Sequence, residues 1–118
     1  MSNPADLTTL RDKLRTFADE RDWDQFHSPK NLSMALMVEV AELMEHFQWL
    51  TEAQSRELDA KQKTAVAEEL ADILLYLVRL SDKLNINLME AATNKLAKNA
   101  LKYPADEVRG SAKKYSAP

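Results

Sequence analysis

Apolar residues recur at helical spacing from the start of the chain. Leu7, Leu10, Leu14 and Phe17 fall at i, i+3, i+7 and i+10, which predicts a helix from about Asp6 to Asp22. Trp23-Asp24-Gln25-Phe26-His27-Ser28-Pro29 then breaks the pattern as a ring-rich loop ended by a proline. A second helix is expected to open near Lys30 or Asn31 and to run to Trp49 or Leu50. Thr51 to Leu58 reads as a polar connection. Asp59-Ala-Lys-Gln62 resembles a capping box and starts a third helix that reaches about Leu84. Asn85-Ile86-Asn87 is a turn, and Asn87-Leu-Met-Glu90 is a second pattern of the same kind. The fourth helix ends at Lys102, stopped by Tyr103-Pro104. Residues 105–118 form a tail without periodicity, expected to be flexible or to pack on a neighbouring subunit.

The faces of these helices carry further information. In the second, Leu36, Val40, Leu43 and Phe47 fall on one line at about 100° per residue, and Met37 and Met44 widen it. Met34 and Val38 sit nearly opposite that line. A helix apolar on almost every side needs cover on its back, from a second copy of the chain or from a long loop or tail. Glu39 and Glu42 lie on a flank, roughly 60° and 120° round from the stripe. On the third helix Val66, Leu70, Ile73, Leu74, Leu77 and Leu84 form the apolar face. Glu69, Asp72, Tyr76 and Lys83 line one of its edges at i, i+3, i+7 and i+14. On the fourth, Lys95, Asn99 and Lys102 stand at i, i+4 and i+7 beside Leu88, Ala92, Leu96 and Ala100. The expected fold is all-α: one domain over residues 1–118, a four-helix bundle-like subunit that assembles into a dimer or a tetramer made of two dimers.

Composition narrows the function classes. Gly110 is the only glycine in 118 residues, which argues against tight hairpins and excludes a glycine-rich phosphate loop or dinucleotide fingerprint. The absence of cysteine excludes disulfide scaffolds, thiolate zinc sites and cysteine nucleophiles, and fits a reducing cytoplasm. A net charge of −3 and a pI near 5.4 argue against general affinity for nucleic acid. The longest apolar run, Ile73 to Val78, is too short to span a bilayer, and Met1 to Arg11 contains no apolar signal core.

The candidate chemistry lies in two carboxylate pairs, Glu39/Glu42 and Glu69/Asp72, each three residues apart beside an apolar face. Like charges held close in a partly dry place repel unless they are protonated or neutralised by a cation. Four oxygen donors facing one another suit a hard divalent ion, Mg²⁺ first and Mn²⁺ as its substitute. The same pairs also read as solvated helix faces, and spacing alone leaves both readings open. A di-iron carboxylate bundle needs Glu-x-x-His, but the residues three before His27 and His46 are Asp24 and Leu43. Trp23 and Trp49, at helix borders, can stack on a base or plug a bundle end. His27 can touch a base edge or phosphate, and Lys95, Asn99 and Lys102 can hold phosphate oxygens.

Four stretches in order carry a resemblance: Glu20 to Leu32, Glu39-Val-Ala-Glu42 with Phe47-Gln-Trp49, Glu68 to Tyr76, and Lys95 to Pro104. Together they resemble the MazG-like all-α nucleotide pyrophosphohydrolases, and within them the dCTP pyrophosphatase branch, from about Leu7 to Tyr115. The resemblance implies Mg²⁺-dependent cleavage of a nucleoside triphosphate between its α and β phosphates by a dimer or tetramer. It implies Glu39, Glu42, Glu69 and Asp72 as metal ligands, with Glu39 first and Glu42 second as the carboxylate that orients water. Trp49 and Tyr76 would face the nucleotide, Trp23 and His27 would close the base side, and Asn99 and Lys102 with Tyr103 would reach sugar and phosphates. Many relatives carry Glu-Glu-x-x-Glu on the second helix, and Val38 stands at the first position here, a departure that the dCTP branch tolerates. Other nucleotides, dUTP in particular, and a non-catalytic helical interaction module are the competing readings.

Overall fold

The computed structural model describes residues 6–112. Tyr115 and the end of the tail lie outside the described residues. Among those described, the chain is helical without strands: α1 (Leu7–Glu20), a 3₁₀ turn (Asp24–Phe26), α2 (Pro29–Glu45), α3 (Glu52–Arg56), α4 (Ala60–Lys83), α5 (Leu88–Lys102) and α6 (Ala105–Val108).

Local chemistry explains the boundaries. The Asp6, Ser28 and Asn87 side chains accept hydrogen bonds from the backbone N–H groups of Thr9, Asn31 and Glu90, capping α1, α2 and α5. Pro29 is the first residue of α2, one or two before the start expected from the pattern, because a proline at N1 gives up no helical hydrogen bond. Asp59 and Gln62 form the reciprocal capping box of α4 as expected. Two helix ends need a residue at positive φ, and in this glycine-poor chain Asp22 (φ 53) and Asn85 (φ 55) take it. Trp23 N–H then reaches back to the Ala18 carbonyl and Ile86 N–H to the Ser81 carbonyl, which closes both ends as Schellman turns.

The second helix ends earlier than its apolar pattern. From His46 the backbone bonds tighten to i→i−3 links, His46 to Leu43 and Phe47 to Met44, so Phe47 and Trp49 sit on turns beyond α2. Thr51 to Leu58, expected to be a plain connection, contains α3 under a Thr51/Gln54 capping box. The start of the tail forms α6.

The chain divides into two compact units, residues 1–86 and 87–118. In the first, α4 packs against both α1 and α2. Its core is small: Ala18, Leu32, Val66 and Val78 are the buried apolar residues, joined by the charged Arg79. On α2, Met34, Met37, Val38 and Met44 remain more than half exposed, so the described residues leave uncovered both the Met37/Met44 flank of its stripe and the Met34/Val38 side opposite. In the second unit, Lys95, Asn99 and Lys102 share one edge of α5, and Tyr103 closes its C-terminus through a bond to the Asn99 carbonyl.

Arg79 is tolerable in the core because acids hold it on two sides. Its Nη2 donates to Asp24 Oδ1 at 2.6 Å, and its Nη1 lies 3.7 Å from Asp82 Oδ2. Asp82 also accepts both arms of Arg15, at 2.7 and 2.5 Å. That pairing holds the Asp82 carboxyl below its ordinary value of 3.8. A depressed carboxyl stabilises the fold fully above its unfolded value and loses that contribution as pH falls through the folded one. Asp82→Asn is therefore expected to melt below wild type at neutral pH, with the gap closing as pH falls below 3.8. Thermal denaturation followed by circular dichroism across that range checks it; a gap independent of pH would count against the pairing.

Candidate functional site

The contact between α2 and α4 sets acidic edges of the two helices side by side. Glu39 comes from α2, and Glu69 and Asp72 come from α4. One carboxylate oxygen of each lies within 4.8 Å of the others. Glu42 adjoins the group, and its charge bears on Glu39 and Glu69. Glu39 Oε2 and Glu69 Oε2 are buried and have no hydrogen-bond partner. An unsatisfied buried carboxylate oxygen is costly, and two converging ones more so. Burial, reinforced by Glu42, Asp72 and Glu69, pushes the Glu39 carboxyl up to about 7. Burial and Glu42 push Glu69 up as well. The group is starved of positive charge and offers only oxygen donors, so it fits a hard divalent cation.

His46, absent from the sequence-based candidates, closes one side. Its Nε2 stands 3.8 Å from Glu69 Oε1. Helical arithmetic contains the signal: Glu39, Glu42 and His46 stand at i, i+3 and i+7.

The ring-rich segment lies farther along α4. Trp23 meets Phe17 edge-on, with centroids 5.7 Å apart, and His27 at 6.5 Å. His27 Nδ1 accepts a hydrogen bond from Arg79 Nε at 3.0 Å. Burial, then the charges of Arg79 and Lys83, hold the His27 imidazole below its ordinary range, with Asp24 opposing them. Asp24 in turn accepts from both Arg79 and Lys83. Sequence reasoning missed this polar cluster, although Asp72, Tyr76, Arg79 and Lys83 run along one edge of α4 at i, i+4, i+7 and i+11. Tyr76 is half-buried between the acidic and cationic ends of that edge. Trp49, by contrast, is 86% exposed on the turn after α2. Lys95, Asn99, Lys102 and Tyr103 belong to the second unit, on α5 and its cap.

A family model described as "MazG-like family" matches residues 34–117. The chain belongs to the MazG-like family. Among MazG-like relatives, the dCTP pyrophosphatase 1 of Rattus norvegicus is 45% identical over 112 residues, covering 93% of this chain and 66% of the rat protein. The dCTP pyrophosphatase 1 of Bos taurus is 41% identical over 117 residues, covering 98% of this chain and 69% of the bovine protein. The chain thus spans about two thirds of the length of these curated relatives. A crystal structure of a pyrophosphatase from Archaeoglobus fulgidus superposes with a TM-score of 0.79 at 42% identity, covering 88% of this chain and 97% of that one. Among the described residues, no helix of this MazG-like chain is long and apolar enough to cross a membrane.

The charge balance of the acidic group generates a prediction. With its folded value near 7 against an unfolded 4.5, Glu39 destabilises the metal-free protein as pH rises between those values, because only the unfolded state releases the proton there. A divalent cation competes with that proton, so Mg²⁺ or Mn²⁺ should raise the melting temperature, and by more at pH 8 than at pH 6. Calorimetry with each ion at both pH values checks this; no shift with either ion would remove the metal assignment.

Proposed function

We propose that this chain hydrolyses a deoxynucleoside triphosphate, dCTP or a modified dCTP first, to the monophosphate and pyrophosphate, and so cleans the nucleotide pool. The observation that carries the reading is the convergence of Glu39, Glu69 and Asp72, with two orphaned buried oxygens, in a MazG-like chain 45% identical to a dCTP pyrophosphatase. The cytoplasm, where such triphosphates are found, is the compartment this reading implies.

Glu39, Glu42, Glu69 and Asp72 would hold Mg²⁺, with Mn²⁺ as a substitute. When bound, the ion would supply positive charge against the triphosphate and the charge that develops as the α–β linkage breaks. The protein residues do the rest. Glu39 is our first assignment for the group that takes a proton from the attacking water, with Glu42 second. Water oxygen joins phosphorus, the α–β bridging bond breaks, and pyrophosphate leaves. His46 steadies Glu69 from outside the group. Trp23 and His27 are assigned to the base side, with Tyr76 and Trp49 facing the nucleotide. Lys95, Asn99 and Tyr103 are assigned to sugar and phosphates, and Lys102 to the leaving pyrophosphate.

The exposed methionines of α2 support assembly as a dimer or a dimer of dimers, with a second copy covering Met34, Met37, Val38 and Met44. Two measurements test these assignments. Pyrophosphate release from each deoxynucleotide taken singly, with Mg²⁺ or Mn²⁺, is expected to be fastest with dCTP or its modified forms. In the same assay Asp72→Ala should lose roughly a hundredfold or more in turnover. Activity in that variant within a few-fold of wild type would remove the metal role, and no hydrolysis of any triphosphate by wild type would leave the interaction-module reading standing. Separately, light scattering should find an oligomer, and Met37→Glu should shift it towards monomer; an unchanged mass would place the interface elsewhere.

A further inference from the structure

Among the described residues, Arg79 is the one buried cation. It is only 6% exposed. Asp24 grips Nη2 at 2.6 Å, and Asp82, itself clamped by Arg15, stands by Nη1 at 3.7 Å. Those two acids fix the guanidinium plane and leave Nε–H aimed at one acceptor, His27 Nδ1, at 3.0 Å. A guanidinium has no lone pair to offer. The ring nitrogen that meets it must therefore carry the lone pair, and a neutral imidazole must then carry its proton on Nε2. Protonation at Nδ1 would set two donors against each other beside Arg79 and Lys83. Among the described residues, Nε2 has no hydrogen-bond partner.

We propose that Arg79 is a positioning residue that locks His27 as the Nε2–H tautomer, so that the ring presents an uncharged donor to an acceptor atom on the edge of the bound nucleotide's base. The donor half of this statement rests on the reading of the chain as a nucleotide hydrolase, while the tautomer half does not. Three features favour the base over the phosphates as the target. His27 lies beside Trp23, a ring suited to stacking. Arg79 is seven residues from Asp72, about 10 Å along α4, so His27 stands away from the acidic centre where phosphates would bind. A neutral ring adds direction without adding charge, and each of the cations around it, Arg79, Lys83 and Arg15, is already paired with Asp24 or Asp82. Such a donor recognises a carbonyl or a bare ring nitrogen and rejects a base that turns an N–H towards it.

Nitrogen NMR of the unligated full chain, labelled at histidine and assigned through His27→Gln, reads the tautomer directly. In wild type Nδ1 should appear unprotonated and Nε2 protonated from about pH 6 to pH 8. Arg79→Lys keeps the charge but loses the fork, and should return His27 to a mixture of tautomers that titrates in that range. Protonated Nδ1 in wild type would overturn the lock whether or not any nucleotide is turned over, so this result is separable from failure of the hydrolase reading.

Kinetics then test the donor. His27→Ala should raise KM for the preferred triphosphate by roughly fivefold to tenfold at little cost in kcat, and His27→Gln, whose amide nitrogen matches Nε2, should lose less. Arg79→Lys should raise KM in the wild-type background and add nothing in the His27→Gln background, because its effect passes through the ring. An equal penalty in both backgrounds would make Arg79 merely structural and overturn the proposal. KM unchanged in His27→Ala would overturn the assignment of the donor to the base. Should Arg79→Lys fail to fold, the wild-type spectrum and the two His27 variants still decide.

Discussion

Everything the candidate site can do depends on repulsion among carboxylates that the packing of α2 on α4 forces together. Val66 and Leu32, buried on those two helices, belong to the small core of that packing. The helices cannot separate without exposing that core, yet their contact sets Glu39 against Glu69 and Asp72. Hydrophobic burial therefore works against electrostatics, and the conflict shows as two orphaned oxygens and a Glu39 carboxyl near 7. Protons relieve that conflict at low pH. At neutral pH a bound cation relieves it better, because one ion can serve several oxygens at once. A site built this way has its affinity stored in the fold before any ligand arrives.

Much of this was legible from helix arithmetic. The Asp59/Gln62 box, the Asn87 cap, and the carboxylate pairs three apart each depend on residues within one turn, where spacing determines geometry. What was not legible depends on choices between competing local bonds or on long-range partners. The end of α2 is one case: its apolar pattern continues to Phe47 and beyond, but the backbone after Glu45 takes shorter-range bonds, and periodicity does not report that. The helix α3 is another, five residues whose capping box lies inside a stretch too polar to attract attention.

Arg79 shows the limit more sharply. Its place on the edge that holds Asp72, Tyr76 and Lys83 follows from counting, but an arginine in that position normally reads as solvated. Its burial depends on Asp24, 55 residues away, and on Asp82 with Arg15 behind it. No local pattern announces a partner at that separation. The same holds for Glu39 and Glu69: their pairing across helices was an expectation from resemblance and chemistry, and only the tertiary contact gives it a distance.

The two ends of that α4 edge differ in a way that assigns them different work. At the cationic end Arg79, Lys83 and Arg15 are each paired with Asp24 or Asp82, so every cation of the cluster has a partner inside the protein, with one positive charge left over. At the acidic end three carboxylates converge with His46 at 3.8 Å as the nearby base, and the balance is left open. A closed network rigidifies; an open one binds. Under the proposed hydrolase reading the reacting part of a substrate would belong with Glu39, Glu69 and Asp72, while the Arg79 cluster, whose cations are each paired with an acid, would contribute mainly direction. Tyr76 stands between them on the same edge, one turn from each and half-buried.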